Sequence, residues 1–394
     1  MPDDVLIAGL LSDLAAREAG GRKRTRRTVE SAQGARVVVD GRGLVAFASN
    51  DYLGLANHPG VVAAARDGAS RWGVGAGASH LVCGHSASHA TLEAELAAFV
   101  RPCAGATALT FSSGYLANLA ILTALAGRDD AIFADRINHA CLNDGALLSR
   151  AEFVRYPHAD VAALAKRLAA SMARRKLIAT DAVFSMDGDV APLPDLAALA
   201  GEHDAWLVID DAHGFGVLGA SDEPGRGALA HFGLESERIV YMGTLGKAAG
   251  VAGAFVVAHP AVVDTLVETA RSYIFTTAAP PLLAEALRAS LRVIRNDTAR
   301  HAHLARLIAH FRDRMRDLRW RLLESHTAIQ PIVVGSNAVA VELAEALWAR
   351  GFWVPAIRPP TVPKGTARLR ISLSAAHAHA DVDALVEALA ELGK

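Results

Sequence analysis

The sequence predicts an α/β fold in which a large domain built on a mainly parallel sheet is followed by a smaller C-terminal α+β domain. Between about residue 105 and residue 260, short apolar runs alternate with amphipathic stretches, as in parallel sheets covered by helices on both faces. After Pro280-Pro281 this alternation gives way to a long helical region and isolated strands. We therefore predict an N-terminal helical and basic segment at 1–45, the large domain at 46–285 and the small domain at 286–394.

The overall composition excludes several classes of protein. The chain has 394 residues, which is too long for one ordinary core. Its formal net charge is −1, so nothing favours nucleic acid or an anionic membrane as a partner. Three scattered cysteines are too few for a disulfide framework or a zinc knuckle, and we predict no metal site. Because we find neither a signal peptide nor an apolar run of ~18 residues, we expect a cytoplasmic protein with reduced thiols.

The elements follow from apolar spacing in chain order. Apolar residues at helical spacing predict a helix over 5–20, and a basic run at 22–27 comes next. That run is either a solvated surface or a site for an anionic ligand. It lacks the interleaved aromatic residues typical of nucleic-acid binding. The predicted strands are 106–111, 131–134, 177–182, 206–209, 239–242 and 254–257, with helices at 116–126, 160–172 and 194–203. The C-terminal part is predicted to contain a helical region at 282–318, strands near 328–334 and 367–373, and a helix near 338–350.

Polar residues follow several of these strands, and ligands of parallel sheets bind at the carboxyl ends of the strands. Lys247 lies in a loop of small residues after the strand 239–242. A lysine there can approach a flat ligand, and burial would lower its pKa as imine chemistry requires. Taken alone, a surface lysine is the commoner explanation. Asp210 and His213 follow the strand 206–209, where a carboxylate is placed either to cap a turn or to protonate a pyridine nitrogen.

Three further sites have the same position relative to a strand. Ser113, Gly114 and Tyr115 join a strand to a helix, an arrangement typical of an anion cradle or of a plain helix cap. His139 follows the strand 131–134 and could stack on an aromatic ring, although a lone histidine is more often structural. Ser185 offers a hydroxyl beyond another strand. Their occurrence in order at successive strand ends predicts one composite site.

The whole chain resembles the α-oxoamine synthases, which are pyridoxal-phosphate (PLP) enzymes of the aspartate-aminotransferase-like fold. The resemblance rests on the segments from Phe47 to Leu55, from Asp210 to Gly214 and from Gly243 to Lys247. It implies that the chain condenses an amino acid with an acyl thioester and releases CO2. The segment from Ile357 to Ser372 resembles the branch of biotin biosynthesis that uses L-alanine and a pimeloyl thioester, carried by CoA or by a carrier protein.

The resemblance also implies roles for individual residues. Lys247 is expected to bind PLP covalently, Asp210 to pair with the pyridine nitrogen, and His213 to contact the ring hydroxyl. His139 is expected to stack on the ring, with Ser185 nearby. The expected phosphate ligands are Gly114, Tyr115 and Thr244, together with Thr276 and Thr277 from the partner subunit of a homodimer. Ser113 is predicted as a further cofactor contact. The expected substrate contacts are Arg370 for the amino-acid carboxylate, and Asn50, Arg24, Arg358 and Thr361 on the thioester side.

Other functions remain as alternatives. A sister synthase could use glycine or serine with another acyl-CoA, and a panel of substrates would separate these. A PLP-free binding module with the same fold is a second alternative, although Lys247 argues against it. The segment from Gly214 to Gly219 matches the G-x-G-x-x-G pattern of dinucleotide-binding proteins. We reject a nicotinamide dehydrogenase because the following residues predict a loop where that fingerprint requires a helix.

Overall fold

The computed structural model describes residues 5–20 and 23–394. Its α-helices are α1 (Val5–Ala19), α2 (Pro59–Trp72), α3 (Ala87–Val100), α4 (Gly114–Leu125), α5 (Ala140–Ser149), α6 (Val161–Ala170), α7 (Leu193–Glu202), α8 (Ala228–Phe232), α9 (Pro260–Thr269), α10 (Arg271–Ile274), α11 (Pro281–Asn296), α12 (Thr298–Met315), α13 (Asn337–Ala349) and α14 (His379–Leu392). Its strands are β1 (Arg36–Val39), β2 (Arg42–Ala46), β3 (Thr107–Phe111), β4 (Ala131–Asp135), β5 (Glu152–Tyr156), β6 (Lys176–Asp181), β7 (Ala205–Asp210), β8 (Ile239–Thr244), β9 (Ala254–Ala258), β10 (Arg321–Leu322), β11 (Ile329–Gly335), β12 (Phe352–Trp353), β13 (Ala356–Ile357) and β14 (Ala367–Ser372).

A seven-stranded sheet forms the centre of the fold, in the order β3-β9-β8-β7-β6-β4-β5. Neighbours from β8 to β5 are parallel, and β9 runs antiparallel to both β3 and β8. Apolar cores lie on both faces, because alternate side chains of a strand point to opposite sides. In β7, Leu207 and Ile209 belong to one core and Val208 to the other. The predicted α/β fold class is confirmed.

Two smaller sheets complete the fold. The strands β10-β11-β14-β13 form an antiparallel sheet, in which β14 carries Arg368 and Arg370. The hairpin of β1 and β2 pairs in parallel with β12, so residues 36–46 join a sheet with the C-terminal part of the chain. The predicted division into segments 1–45, 46–285 and 286–394 stays a prediction.

The structure contains several elements that the sequence did not predict, and three differences bear on the fold described here. The strand β5 was not predicted, because Glu152 and Arg155 interrupt its apolar run at the edge of the sheet. The hairpin of β1 and β2 was also missed. The helical region 282–318 is two helices that end at Met315. Asp297 divides them, since its side chain accepts the backbone N–H of Arg300 at 3.0 Å and caps α12.

The helix α1 confirms the prediction over 5–20, but none of its side chains is buried. Its apolar residues Leu6, Leu10 and Leu14 are 81%, 61% and 59% exposed. Arg22 of the basic run lies outside the described residues, and Lys23 to Arg27 are exposed. Among the described residues, no helix has both the length and the apolar character needed to cross a bilayer.

Candidate active site

The carboxyl ends of β6, β7 and β8 bring the predicted site residues to one edge of the sheet. Asp181 and Asp210 are paired neighbours at the ends of β6 and β7, and Asp210 is also paired with Met242 of β8. Thr244 ends β8, and Lys247 follows it three residues later. The parallel sheet therefore sets two carboxylates and one amine side by side.

Lys247 lies against His213 at the centre of this edge. The Nζ atom of Lys247 is 2.9 Å from Nε2 of His213, and Nδ1 of His213 is 2.7 Å from the hydroxyl of Tyr52. Burial is the main cause that lowers the pKa of Lys247, and the carboxylates of Asp210 and Asp181 oppose it. The lysine is therefore neutral at a lower pH than an ordinary lysine, as a nucleophilic amine must be.

His213 is a neutral imidazole. It is buried, and burial, followed by the positive charges of Lys247 and Arg370, holds its pKa well below the usual range. Each of its ring nitrogens has one polar neighbour, so the ring is held in one orientation. A neutral, oriented imidazole beside an amine can share a hydrogen bond without adding charge to the site.

Asp210 is held by side chains of α4 and α5 and by the backbone that follows β7. Its Oδ2 accepts a hydrogen bond from Nδ2 of Asn118 at 2.6 Å, and its Oδ1 accepts the backbone N–H of Ala212 at 3.0 Å. The thiol of Cys141 lies 3.9 Å from the same Oδ2. These bonds fix the carboxylate in a buried place, where it could pair with a protonated ring nitrogen.

His139 caps α5 beside Asp210 and is itself exposed. Its backbone N–H donates to Oδ2 of Asp181 at 2.7 Å, and its Nδ1 lies 2.9 Å from the thiol of Cys141. Burial, together with the charge of Asp210, raises the pKa of Asp181 well above its usual range. An exposed imidazole with one anchored edge can present its face to a flat ligand, as the stacking prediction requires.

The predicted anion cradle lies at the start of α4. Ser113 is the N-cap, and its hydroxyl accepts the backbone N–H of Leu116 at 3.3 Å, so the capping alternative holds at that residue. Gly114 and Tyr115 open the helix, where backbone N–H groups lack partners within the helix and favour an anion. A Cβ on Gly114 would meet only the Met242 side chain, at 3.6 Å, so the cradle abuts β8. The hydroxyl of Thr244 donates to the carbonyl of Gly253 at 3.2 Å.

Arg370 reaches the site from the small antiparallel sheet. Its Nε donates to the Ser185 carbonyl at 2.6 Å, and its Nη1 donates to Oδ1 of Asn50 at 3.2 Å and to the Ser372 hydroxyl at 2.8 Å. Its Nη2 donates to the Tyr52 hydroxyl at 3.3 Å. These bonds engage most of the guanidinium donors. A substrate carboxylate would therefore meet the free edge of Nη2 beside Tyr52 and Asn50. Ser185 contacts this arginine through its backbone carbonyl.

Five residues predicted to bind the cofactor or the substrate are not among the contacts of Lys247, Asp210 and Arg370 described above. Thr277 is exposed and forms a bridge with Ser79, next to the half-buried Thr276. Arg24 is exposed in irregular chain after α1. Arg358 follows β13, and its carbonyl accepts the backbone N–H of the exposed Thr361 at 3.1 Å. The proposed roles of these five residues stay predictions.

Several residues of the site were not predicted: Tyr52, Asn118, Cys141, Asp181 and Arg368. Asp181 was hidden because it ends an apolar run and was counted as part of the strand. Asn118 lies in a strongly apolar helix, and a single buried polar residue there was the available signal. Tyr52 stands in the segment Phe47 to Leu55 that carried the resemblance.

A cluster of three histidines, His80, His85 and His89, lies beside the loop that bridges to Thr277. One nitrogen of each ring lies within 4.8 Å of one nitrogen of the others. Nδ1 of His89 accepts the backbone N–H of Ser86 at 3.1 Å, so its Nε2 carries the proton. The Nδ1 lone pair of the third ring is therefore occupied by the backbone of Ser86.

The fold and the lysine-centred site define a class of protein. The family model described as aminotransferase class I and II matches residues 42–389, which include all three sheets except β1. A serine palmitoyltransferase from Sphingomonas wittichii has the same fold, with a TM-score of 0.90 at 31% identity over 99% of this chain and 96% of that chain. Another neighbour, a serine palmitoyltransferase variant from S. paucimobilis, was solved with a PLP–myriocin aldimine, at a TM-score of 0.90 and 30% identity over 98% and 96% of the two chains.

Relatives with higher sequence identity to this chain identify the branch within that class. The 8-amino-7-oxononanoate synthase of Polaromonas naphthalenivorans (strain CJ2) is 58% identical over 99% of this chain and 98% of its own. That of Burkholderia cenocepacia (strain J2315) is 59% identical over 98% of each chain. The crystal structure of the enzyme from Francisella tularensis has a TM-score of 0.76 at 30% identity, over 89% of this chain and 97% of that chain. The chain belongs to the aminotransferase class I and II family and, within it, to the 8-amino-7-oxononanoate synthases.

Proposed function

We propose that this protein is a PLP-dependent acyltransferase of biotin biosynthesis. It condenses L-alanine with a pimeloyl thioester to give 8-amino-7-oxononanoate, CO2 and a free thiol. The contact of 2.9 Å between Lys247 and His213, beside the buried Asp210, is the observation that carries the proposal. The choice of this particular reaction is supported by relatives named 8-amino-7-oxononanoate synthase at 57–59% identity.

The residues present fit PLP in three chemical respects. A lysine with a lowered pKa supplies the amine for an imine bond. A buried carboxylate, Asp210, supplies the partner of a protonated pyridine nitrogen. The start of α4 at Gly114 and Tyr115, with Thr244 nearby in the fold, supplies donors for a phosphate. When bound, PLP supplies an aldehyde and a ring that accepts electron density from the substrate Cα.

The side chains then divide the work on L-alanine. With PLP bound, the neutral Nζ of Lys247 would accept the Cα proton of L-alanine. Asp210, held by Asn118, would pair with the protonated pyridine nitrogen of PLP. Arg370, oriented by Ser185 and Asn50, binds the alanine carboxylate until that group leaves as CO2. The exposed imidazole of His139 would be available to stack on the ring of PLP.

The thioester side is the less constrained part of the site. Asn50 accepts a hydrogen bond from Arg370, so it lies at the edge of the amino-acid subsite, and we assign it to the thioester side. A pimeloyl chain ends in a carboxylate, and the arginines proposed for it are Arg358, with Thr361, and Arg24. The donor is either pimeloyl-CoA or a pimeloyl carrier protein, and both offer the same acyl group.

We also propose that the enzyme is a homodimer in the cytoplasm. Phe275, next to Thr276 and Thr277, is 70% exposed, and Leu10 and Leu14 of α1 are 61% and 59% exposed, which supports a partner subunit at these surfaces. The described cysteines Cys83, Cys103 and Cys141 are free thiols, which suits a reducing compartment. Light scattering at micromolar concentration tests the dimer, and a monomer would contradict it.

A sister reaction is the second candidate, because serine palmitoyltransferases share the fold at a TM-score of 0.90. The decisive experiment is product identification by mass spectrometry with PLP, L-alanine and pimeloyl-CoA, using Lys247→Ala as the matched control. The proposed function predicts 8-amino-7-oxononanoate with the native chain and none with the variant. A product formed only from serine or glycine would support the sister reaction instead.

A further inference from the structure

Ser185 lies in a tight hairpin that connects the two halves of the site, here called the Ser185 hairpin (residues 183–190). Val183 and Val190 form an antiparallel bridge at its base. Within it, the backbone N–H of Phe184 donates to the Asp189 carbonyl at 3.0 Å. Because the hairpin is short and closed by these bonds, we treat it as one rigid unit. A displacement of Asp189 therefore also moves the Ser185 carbonyl.

The small sheet holds one side of the Ser185 hairpin. Nε of Arg370 donates to the Ser185 carbonyl at 2.6 Å. Nη1 of the buried Arg368 donates to the Met186 carbonyl at 3.0 Å and to Oδ1 of Asp187 at 2.7 Å. The Ser185 carbonyl is therefore one of four acceptors that orient Arg370, and it is the acceptor of Nε.

His158 holds the opposite side. Its Nε2 lies 2.8 Å from Oδ2 of Asp189 and its Nδ1 lies 3.1 Å from Oδ2 of Asp135, while its ring packs edge-on against Phe184 with centroids 4.4 Å apart. Asp135 ends β4 and also accepts the backbone N–H groups of Ile137 and Ala159 at 2.9 and 2.8 Å, so it is a fixed anchor. His158 therefore ties the hairpin to the large sheet.

The imidazole of His158 carries a positive charge. Both ring nitrogens face carboxylates, and two donors are available only on the protonated ring. Burial alone would lower the pKa of His158, but the hydrogen bonds to Asp135 and Asp189 outweigh it and raise that pKa to about 10. The tie is thus a charge-assisted pair on each side of one planar ring.

We propose that His158 is a positioning residue for the amino-acid subsite. It fixes the Ser185 hairpin against Asp135, so that the Ser185 carbonyl orients the Arg370 guanidinium toward the substrate carboxylate. This inference rests on the proposed function, in which Arg370 binds that carboxylate. Removal of His158 frees Asp189 and loosens the acceptor of Arg370. It leaves Lys247 and Asp210, which stand on other elements, in place.

The test measures L-alanine binding and turnover for His158→Gln holoenzyme. Loss of the charge-assisted ties should raise the Kd and KM for L-alanine by roughly tenfold, while kcat, the KM for pimeloyl-CoA and the Kd for PLP change less than about twofold. The planar cation of His158→Arg should recover most of the alanine affinity. Asp189→Asn, which keeps the side-chain shape and removes the charge, should move the alanine Kd in the same direction as His158→Gln.

His310→Gln is the matched control, because Nε2 of His310 lies 2.8 Å from Oδ1 of Asp383 in a pair of similar exposure between α12 and α14. It should leave alanine binding unchanged. An alanine Kd in His158→Gln equal to that of the native chain would overturn the inference, as would equal losses of alanine and PLP affinity with a lowered Tm. If the native holoenzyme itself does not bind L-alanine, the proposed function fails instead, so the two failures are distinguishable.

Discussion

Nε2 of His213 lies 2.9 Å from Nζ of Lys247, while Nδ1 of the same ring lies 2.7 Å from the hydroxyl of Tyr52. One buried imidazole thus connects the reactive amine to Tyr52, which in turn accepts a hydrogen bond from Arg370. The group proposed to move a proton and the group proposed to bind the substrate carboxylate belong to one network. Changes at either end of this network should be separable by measuring binding and turnover independently.

Lys247→Ala should lower kcat by at least ~10³-fold, because the variant lacks both the covalent attachment point and the base for the Cα proton. The native holoenzyme, reduced with borohydride and digested, should carry the pyridoxyl group on the peptide that contains Lys247. Lys166, which lies on α6, provides the control, and Lys166→Ala should retain full activity. Label on a different lysine would remove Lys247 from its proposed role.

The pH dependence of PLP reconstitution should reflect the lowered pKa of Lys247. Imine formation needs the neutral amine, and burial, opposed by Asp210 and Asp181, lowers that pKa from 10.5. The reconstitution rate of the apoenzyme should therefore rise with pH and level off below the range of an ordinary lysine. In Asp210→Asn the loss of a carboxylate that raises the pKa of Lys247 should shift the midpoint to still lower pH. A midpoint at or above 10.5 in the native chain would contradict this account.

Asp210→Asn should also slow Cα deprotonation by roughly 10²–10³-fold while PLP stays bound, since a neutral amide cannot maintain the ring proton. Deuterium exchange at Cα of L-alanine measures this step without the thioester. Asp211→Asn serves as the control. The pKa of Asp211 is raised to about 7, chiefly by burial. Its Oδ2 accepts hydrogen bonds from the Tyr241 hydroxyl and from the backbone N–H of Ala228, so we assign it a structural role. Exchange at the native rate in Asp210→Asn would exclude the proposed role.

The residues at the ends of the central strands could be predicted from local sequence pattern, whereas contacts made by helix packing could not. Asp210, His213 and Lys247 were predicted because each follows an apolar strand of a parallel sheet, and the sheet must bring such ends together. Asn118 and Cys141 could not be predicted in this way, since their contacts with Asp210 depend on how α4 and α5 pack on the sheet. His158 follows the edge strand β5, which the sequence did not predict because charged residues interrupt its apolar run.

Arg370→Lys should raise the Kd for L-alanine by about 10–100-fold and leave the Kd for PLP nearly unchanged. An ammonium cannot hold the Ser185 carbonyl and Asn50 while it also meets a carboxylate, because it lacks the planar fork of a guanidinium. Spectral titration of the holoenzyme measures both constants. Arg358→Lys is a useful comparison, since its proposed contact is on the thioester side and its alanine Kd should not change. Native alanine affinity in Arg370→Lys would remove Arg370 from the amino-acid subsite.

The central claim concerns the reaction. The most direct test measures kcat/KM for L-alanine, glycine and serine, each combined with pimeloyl, acetyl, succinyl and palmitoyl thioesters. A pocket discriminates one methylene by only ~1–3 kcal/mol, so glycine should react slowly in place of L-alanine. Acyl groups that lack the distal carboxylate should be poorer donors than pimeloyl, because they leave its polar partner unpaired. We predict that L-alanine with the pimeloyl thioester has the highest kcat/KM of the panel. A higher value for glycine or serine with any other thioester would contradict the assignment.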